Sequence, residues 1–366
     1  MPPLADLQVL DFSTLLPGPM ASLILAEAGA TVIKIERPVH GDEMRSYPPK
    51  LGADGVNFHL LNRGKQSYAL DLKDPAAIAQ LRPLIARADV LIEQFRPGVM
   101  QRLGLGYAAA VALNPGIIYC SITGWGQTGP RSQVAAHDLN YMAETGLLAL
   151  SADRDGTPVL PPVLIADLAG GTLPAVVNIL LALRHRDQTG LGCHLDIAMA
   201  DSLFTFAYWA LGEGFATGHW PQAGAELLTG GSPRYQIYRT HDGKYLAAAP
   251  LEERFWDAFC RIIELPEPMR RADAPPKAVI AAVADLIGRR TAAQWREAFE
   301  GYDVCCSVVR ELREAVGDPQ TVARKLFAGM FEAGGRALPA LPVPLAPMFR
   351  ANHSGRVTAP RLDEHQ

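Results

Sequence analysis

The sequence predicts an α/β fold, in which a doubly wound parallel sheet is followed by a second, smaller domain. With 366 residues, the chain exceeds the size at which a single hydrophobic core usually stops growing. Through the first half, apolar strand patterns alternate with helical patterns, as they do in a doubly wound sheet. After Gly192 the alternation gives way to short strands separated by turn residues, which indicates a separate domain.

The N-terminal segment predicts one βαβ unit. LQVLDFS (residues 7–13) is an apolar run typical of a buried strand, and TVIKIER (residues 31–37) is a second one. Between them, MASLILAEAGA is a helical pattern that ends at Gly29.

The same alternation continues along the chain. It runs through a helical stretch from Pro75 to Ala88, the strand ADVLIEQF, a further helical stretch and the strand GIIYCSITGWG. Ligands of such sheets bind beyond the carboxyl ends of the strands. We therefore expect the functional site in the loops that follow these strands.

The second domain has a different pattern. HLDIAMADSLFTFAYWALGEG predicts a strand and then a long helix. TGGSPRYQIYRTHDGKYLAAAP predicts short antiparallel strands that turn at His241-Asp242-Gly243. Helical patterns follow in RFWDAFCRIIEL and TAAQWREAFEGY, whereas the tail GGRALPALPVPLAPMFR is too rich in proline to form a packed helix.

The composition excludes several classes of partner. The formal net charge is −4 and the sequence pI is about 6.1, and the basic residues are scattered, so nothing marks a surface for nucleic acid or an acidic membrane. The five cysteines form no CxxC pair, which disfavours a disulfide framework or a thiolate zinc site and favours a reducing compartment. We expect a cytoplasmic protein.

No membrane-spanning or secretory segment is predicted. The N-terminus MPPLADLQVL lacks a basic region followed by an apolar run. The longest apolar segment, residues 164–183, is interrupted by Asp167, Gly170, Gly171 and Pro174.

The first βαβ unit does not predict a dinucleotide site. Glu36 ends the second strand, about where an acid that binds ribose would stand. However, Pro17 and Pro19 occupy the turn where glycines would have to admit a pyrophosphate. This turn disfavours NAD or FAD.

His137 is the first candidate for chemistry. The glycine-rich loop TGWGQTGPRSQ follows a predicted strand and leads to it, so the loop should lie at the ligand-binding edge of the sheet. A histidine there can move protons near neutral pH; the alternative is a histidine satisfied within the core. For its neighbour Asp138 we expect a structural role, capping or anchoring the following helix.

Asp167 precedes an apolar helical pattern and has two interpretations. It is either the N-cap of that helix or a carboxylate that acts as base or nucleophile. Gly170 and Gly171 lie in the first turn, where they lower helix propensity and would leave backbone N–H groups open to a ligand. Both interpretations stay open on this segment alone.

Other polar groups predict no metal site. His185 and His194 lie in HRDQTGLGCH without a ligand partner four residues away, so we expect a solvated helix end. Glu252 and Glu253 are acids of a first helical turn, where the helix dipole favours them.

Four segments together resemble the family III CoA-transferase superfamily, also called CaiB/BaiF, and most closely its α-methylacyl-CoA racemase branch. They are FRPGVMQRLGLGY, ITGWGQTGPRSQVAAHDLNYMAETG, DLAGG and GGSPRYQIYRTHDGKY. The resemblance extends from LDFSTLLPGP to the tail LPVPLAPMF.

The resemblance implies a domain organisation. It implies a large Rossmann-like domain (residues 1–190 and 325–366), linker helices (191–220) and a small α+β domain (221–324). It also implies a homodimer in which two subunits are threaded through each other as interlocked rings.

The racemase branch implies a two-base proton exchange at the α-carbon of an acyl-CoA thioester. The matching residues are His137 on one side and Asp167 on the other, with Glu252 of the small domain hydrogen-bonded to the histidine. Inversion needs one group to remove a proton from one face and another to return it on the opposite face. The enolate oxygen formed between these steps needs donors, which we expect from the backbone after Asp167.

Coenzyme A is implied as part of the substrate, with no permanently bound cofactor. The implied contacts with CoA are Arg37, Arg63, Lys65, Arg96 and Arg102. Their cations suit the phosphates and adenine of CoA.

Two alternatives remain open. In the transferase branch, Asp167 would take the acyl group from CoA as a mixed anhydride, without a histidine. The segment Thr229–Ser232 is shorter than the glycine-rich flap of that branch, which favours a racemase, whereas Leu168–Thr172 is less rich in glycine than the racemase pattern. A CoA-binding protein without catalytic activity is the other alternative, and the sequence does not predict the acyl group.

Overall fold

The computed structural model describes residues 2–153, 155–351 and 357–365. The chain divides into two compact units, the first built from residues 1–145, 162–206 and 320–366, and the second from residues 146–161 and 207–319. The strands are β1 (Gln8–Asp11), β2 (Thr31–Glu36), β3 (Lys50–Leu51), β4 (Asp54–Gly55), β5 (Gln66–Ala69), β6 (Val90–Glu93), β7 (Ile118–Thr123), β8 (Cys193–Ala198), β9 (Gln236–Arg239), β10 (Tyr245–Ala248), β11 (Cys306–Val308), β12 (Met330–Ala333), β13 (Arg336–Pro339) and β14 (Val357–Thr358). The α-helices are α1 (Pro17–Glu27), α2 (Val56–Asn62), α3 (Pro75–Arg87), α4 (Val99–Arg102), α5 (Tyr107–Leu113), α6 (Asp138–Glu144), α7 (Leu173–Thr189), α8 (Met199–Phe206), α9 (Tyr208–Thr217), α10 (Glu253–Ile262), α11 (Glu267–Arg270), α12 (Pro276–Ile287), α13 (Ala292–Phe299), α14 (Leu312–Val316) and α15 (Pro319–Ala323).

The first unit is built on a parallel sheet of six strands in the order β5-β2-β1-β6-β7-β8. This confirms the predicted α/β fold with a large parallel sheet. The chain leaves β1 toward β2 on one side and later enters β6 on the other, so the order reverses between β1 and β6. Such a reversal opens a crevice at the carboxyl ends of the two strands.

Two strands of this sheet differ from the expectation. β5 was not predicted, because it is short and begins with the polar residues Gln66 and Ser67. β8 lies in the range expected for the linker, yet all six of its residues pair with β7. Its amino-terminal half alternates between exposed and partly buried positions, as on the edge of a sheet, and that local pattern does not specify which sheet the strand joins.

One face of the sheet packs against α3 and α5 in a continuous apolar core. Leu10 of β1, Leu81 and Ile85 of α3, and Leu91 of β6 are almost completely buried there. This packing fixes the strands whose carboxyl ends carry the loops described below.

The second unit carries an antiparallel sheet in the order β11-β10-β9. The predicted turn between β9 and β10 is confirmed, with Gly243 at φ 76°, a conformation that glycine adopts without strain. Trp256 of α10, together with Trp295 and Phe299 of α13, forms the centre of its apolar core.

The proline-rich tail contributes to the first unit as extended chain. β12 pairs antiparallel with β13 and parallel with β14. Within residues 334–350 the chain forms β13 and a short 3₁₀ turn at Pro347–Phe349, which confirms that this segment is not a packed helix.

The longest helix begins with a π-helical turn, Ala166–Thr172, and continues as α7. Gly170 and Gly171 of this turn are buried. A Cβ atom on Gly170 would lie 2.5 Å from the carbonyl oxygen of Met199, and one on Gly171 would lie 2.9 Å from the Met199 side chain. The glycines therefore allow the turn to pack directly against the start of α8.

Among the described residues, one helix meets a length and composition criterion for a membrane span. This helix comprises Ala166–Thr189, and half of its most apolar window is buried within the fold. Core helices of globular proteins meet the same criterion, so the finding is weak evidence for a span.

We expect Gly170→Ala to destabilise the protein by about 1–3 kcal/mol, since the added methyl group would overpack the contact with Met199. The matched control is Gly212→Ala in α9, where a Cβ would meet no atom within 4 Å. This control should stabilise its helix by roughly 0.5–1 kcal/mol, because alanine has the higher helix propensity. Urea unfolding followed by circular dichroism measures both. Equal or greater stability of Gly170→Ala would contradict the packing described.

Candidate active site

A cleft of about 380 Å³ lies at the carboxyl ends of β1, β6 and β7, within the first unit. It is lined by the segments that follow these strands, among them Leu15, Pro17, Gln94, Phe95, Arg96, Gly124 and Trp125, and by His137, Tyr141, Asp167 and Met199. The cleft therefore lies where the strand order reverses, as expected for ligands of such sheets. It brings His137 and Asp167 to one site.

His137 is exposed and directly precedes α6. Its extended backbone is held by its own N–H group, which donates to Asn140 Oδ1 at 3.0 Å. The residue before it is also fixed, because the buried Tyr141 hydroxyl donates to the Ala136 carbonyl oxygen at 3.0 Å. The imidazole is thus carried on a rigid backbone at the rim of the cleft.

The TGWG segment explains how Tyr141 reaches that position. A Cβ on Gly124 would lie 2.2 Å from the Tyr141 hydroxyl oxygen, so only glycine fits there. The Tyr141 ring packs edge-on against Trp125, with centroids 5.2 Å apart. Gly124 and Trp125 of this motif therefore position Tyr141 in the part of the cleft lining next to His137.

Asp138 is buried, and its carboxylate accepts a hydrogen bond from the backbone N–H of Asp167 at 3.0 Å. A structural role is confirmed, but the predicted partner is wrong. Asp138 is the first residue of α6 rather than its cap, and its carboxylate anchors the π-helical turn that carries Asp167 instead of the helix that follows it. His137 and Asp167 are consequently linked through one residue.

Asp167 is the second residue of the π-helical turn, which Ile165 precedes without any side-chain cap. The N-cap interpretation is therefore wrong. Burial and, to a smaller extent, the neighbouring Asp138 carboxylate raise the pKa of Asp167 to about 6, against the opposite effect of His137. A carboxyl group with this pKa exchanges its proton readily near neutral pH.

Part of the backbone near Asp167 has a use that was not predicted. Gly170 and Gly171 let the π-helical turn pack closely against Met199. The N–H groups of Asp167 and Leu168 donate to Asp138 and to the Leu164 carbonyl oxygen, respectively. These two N–H groups are therefore not donors to an enolate oxygen, and the expected contribution of the later backbone donors stays a prediction.

Gln94 is a residue of the cleft that sequence reasoning missed. Its Oε1 accepts a hydrogen bond from the Gly18 N–H at 3.0 Å, which ties the segment after β6 to the first turn of α1. Its position directly after the last residue of β6 is the signal that could have identified it.

Glu252 lies in the second unit, directly before α10. Its predicted hydrogen bond to His137 stays a prediction. Its neighbour Glu253 forms an ion pair with Arg234 at 2.8 Å, whereas Glu252 forms no ion pair with any residue that the structure describes.

Three of the five predicted CoA contacts are exposed in the first unit. Arg96 lines the cleft, Arg102 ends α4, and Arg37 follows β2, where it pairs with Glu43 at 2.7 Å. Among the described residues, Arg96 and Arg102 have no ion-pair partner.

The other two cations are buried, and the prediction that they contact CoA is wrong. Arg63 donates to Glu27 at 2.8 Å and to the Leu341 carbonyl oxygen at 2.8 Å. Lys65 donates to the Pro19 carbonyl oxygen at 2.9 Å and to Asn62 at 2.8 Å. Both side chains are nearly inaccessible and bind protein groups, so they offer no donor to a ligand.

Two further polar residues serve the fold. The Glu36 carboxylate is buried and accepts hydrogen bonds from Arg45 and from Ser67. These protein groups stabilise its charge, so its presence does not indicate a site for ribose. His194 lies in β8 rather than at a solvated helix end, with its Nε2 2.9 Å from the Ser121 hydroxyl.

A group of potential metal ligands in the second unit was not predicted. Glu213, His219 and Glu226 bring one ligand atom each within 4.8 Å of the others. His219 Nε2 lies 3.0 Å from Glu226 and 3.8 Å from Glu213. The hydrogen bond to Glu226 raises the pKa of His219, so an exposed ion pair accounts for this arrangement.

We expect Asp138→Asn to lower the pKa of Asp167 below its value of about 6 in the unchanged protein. Asparagine keeps an oxygen that can accept the Asp167 N–H bond, whereas it removes the negative charge that raises this pKa. The measurement is a carbon-13 NMR titration of selectively labelled aspartate, with Asp167→Asn used to assign the signal. Glu144→Gln, an exposed acid at the end of α6, is the control and should leave the midpoint in place. An unchanged or higher midpoint in Asp138→Asn would contradict the electrostatic account.

Comparison with known proteins agrees with the resemblance in the motifs. Residues 4–366 match the sequence model of CoA-transferase family III. The chain is 35% identical to an alpha-methylacyl-CoA racemase of Mus musculus, covering 99% of this chain and 91% of the relative. It is 34% identical to an acetyl-CoA:oxalate CoA-transferase of Acetobacter aceti, covering 99% and 93%. A crystal structure of a CaiB/BaiF family protein from Brucella suis aligns with a TM-score of 0.82 at 27% identity, covering 99% and 97%. The chain belongs to CoA-transferase family III, and its relatives establish it as an enzyme of that racemase and CoA-transferase superfamily.

Proposed function

We propose that this enzyme is a 2-methylacyl-CoA racemase that exchanges the α-proton of its substrate between Asp167 and His137. The observation that carries the proposal is that both side chains line the same cleft. A racemase needs two proton-exchanging groups at one substrate carbon, and an imidazole and a carboxyl group with a pKa near 6 suit that task.

The reaction needs no net change in the enzyme's protons. In one direction the Asp167 carboxylate takes the α-proton, and the C–H electron pair moves to the thioester carbonyl to form an enolate. Protonated His137 then gives its proton to the opposite face of the α-carbon, and the carbonyl is restored. The reverse direction exchanges the two roles, and we propose that Glu252 stabilises the protonated histidine.

A CoA-transferase is the second candidate, favoured by the relative from Acetobacter aceti. In that reaction the Asp167 carboxylate would attack the thioester carbonyl, releasing CoA as a thiolate and forming an acyl anhydride. The carboxylate of a second acid would then attack the Asp167 carbonyl of this anhydride, releasing the first acid and forming a new anhydride with Asp167. The CoA thiolate would attack the second acid's carbonyl in that anhydride, forming the new thioester and freeing the Asp167 carboxylate. His137 has no required role in this sequence, so the two proposals make different demands on it.

We propose that CoA enters as part of the substrate, with its phosphates near Arg96 and Arg102 and no permanently bound cofactor. Arg96 lines the cleft, and both guanidinium groups are exposed. Arginine suits phosphate because its planar group presents several donors. The free cysteines support a cytoplasmic location.

We also propose that the active form is a homodimer of the interlocked kind. One helix face supports a second copy of this chain, because α7 exposes four large apolar residues on one side. They are Leu173, Val177, Leu180 and Leu181. Their spacing of three and four residues makes a continuous stripe, and a contiguous apolar patch of this kind marks an interface.

Proton NMR with (2R)-2-methylacyl-CoA in deuterium oxide tests the reaction, with and without a free carboxylic acid. We expect deuterium to appear at C2 with loss of chirality, whether or not the acid is present. Acceptor-dependent formation of a new thioester without exchange would establish the transferase instead. Binding of the thioester with neither outcome would leave a CoA-binding protein without catalytic activity.

Matched variants test the proposed roles of His137 and Asp167 in proton exchange. His137→Ala should slow exchange by roughly 10²–10⁴-fold, the usual contribution of a general acid or base, whereas His185→Ala, an exposed histidine on α7, should exchange at the unchanged rate. Asp167→Asn should abolish exchange. Exchange by His137→Ala at the unchanged rate would rule out the two-base mechanism.

We expect Val177→Asp with Leu181→Asp to shift the protein from dimer to monomer, because two charges would be buried in the interface. Sedimentation velocity measures the change. Val39→Asp is the control, since Val39 is 84% exposed and lies outside α7. An unchanged dimer in the double variant would show that α7 is not an interface.

A further inference from the structure

The turn between β1 and α1 lines the cleft in an unusual conformation. Leu15 has φ 63°, although a bulky side chain is rarely found in the left-handed region. Leu15 and Pro17 both line the cleft. Strained residues persist only where their surroundings hold them, and they cluster at ligand sites.

Asp42 and Lys34 hold this turn from the side away from the cleft. Asp42 Oδ1 accepts the Leu15 N–H bond at 3.1 Å and the Met44 N–H bond at 2.9 Å. Its other oxygen lies 2.9 Å from Lys34 Nζ, and the same ammonium group donates to the Ser13 carbonyl oxygen at 2.7 Å. The residues on both sides of Thr14 are therefore bonded to one ion pair.

A second ion pair, between Asp11 and Lys65, holds the start of α1. Asp11 accepts hydrogen bonds from the Ser13 N–H at 2.9 Å and from the Ser22 hydroxyl at 2.5 Å. Lys65 lies 3.3 Å from Asp11 and donates to the Pro19 carbonyl oxygen at 2.9 Å. All four ionisable side chains thus contact the segment from Ser13 to Ser22.

These four charged side chains hold the backbone of the turn and do not contact a ligand in the cleft. Their side chains are completely buried, and none of the four lines the cleft. Two carboxylates balance two ammonium groups, which hold the pKa of Asp11 at about 2. A buried ion pair is seldom more stabilising than an apolar pair of similar volume, so stability alone does not explain two of them under one short turn.

We propose that Asp42 and Lys34 are positioning residues that keep Leu15 in its left-handed conformation and so shape the cleft for a CoA thioester. This inference rests on the proposed function, which brings the thioester to this cleft. It gives Lys65 a related role, since Lys65 and Asp11 fix the start of α1 beside the same turn.

A double-mutant cycle tests the proposal, with affinity for an acyl-CoA measured by calorimetry on the folded dimer. Asp42→Ala should weaken binding about tenfold, within the usual coupling between contacting residues. In the Leu15→Gly background the same change should have an effect of less than about threefold, because glycine adopts positive φ without being held. KM should rise in the same ratio while kcat per folded enzyme changes less, whereas a merely structural role would lower the folded fraction and leave KM in place.

Asp54→Ala is the matched control, since Asp54 pairs with the buried Arg45 and, within the part of the chain that the structure describes, forms no hydrogen bond to the turn. It should change affinity by less than about twofold, because sites that share no partner act almost independently. An equal effect of Asp42→Ala in both backgrounds would overturn the proposal.

A second measurement applies even if Asp42→Ala does not fold. Leu15→Gly should unfold at a temperature about 2–4 °C higher than Leu15→Ala, as expected when about 1 kcal/mol of backbone strain is relieved. The opposite order would overturn the inference. Failure of the unchanged protein to bind any acyl-CoA would instead contradict the proposed function, and the thermal comparison would still decide the conformation of Leu15.

Discussion

The hydrogen bond from the Asp167 N–H group to the Asp138 carboxylate is the interaction on which the site depends. It joins the start of α6 to the π-helical turn, two segments that both lie between β7 and β8 and are 29 residues apart in the chain. Because His137 directly precedes Asp138, the bond also sets how His137 and Asp167 lie relative to each other. It does so from a buried position, where a backbone donor left without a partner would be costly. The residue that anchors the turn, Asp138, is therefore the direct neighbour of His137, which we propose exchanges a proton with the substrate.

The aspartates of the first unit show how surroundings divide one residue type into two roles. Asp11 is fully buried, but two lysines and two serine hydroxyls hold its pKa at about 2. Asp167 is partly buried beside another carboxylate, and its pKa is raised to about 6. Burial acts in the same direction on both, so the nearby cations decide the difference. A permanently charged carboxylate suits a structural ion pair, and one that titrates near neutral pH suits proton exchange.

The sequence predicted most of the sheet, because runs such as LQVLDFS and GIIYCSITGWG have the apolar character of fully buried parallel strands. It also predicted that His137 and Asp167 belong together, through their family motifs. It failed for Arg63 and Lys65, since a charge in a motif looks the same whether it faces a ligand or a buried carboxylate. It did not predict the packing role of Gly170 and Gly171, because their neighbour Met199 is distant in sequence and only the fold brings it near. Nothing in the sequence predicted the left-handed backbone of Leu15, because that conformation depends on contacts with residues distant in the chain, such as Asp42.

The π-helical turn at Ala166–Thr172 limits which changes of chain length this protein can accept. A π turn contains one residue more than an α-helical turn needs, and such bulges occur frequently at functional sites. Deleting one residue there would restore regular hydrogen bonding, yet it would rotate every earlier residue by about 100° around the helix axis. Asp167 would then leave the cleft while the helix itself became more regular. The chain length across this turn therefore matters to the site as well as its residues, because a single deletion there could leave the protein folded but without Asp167 in the cleft.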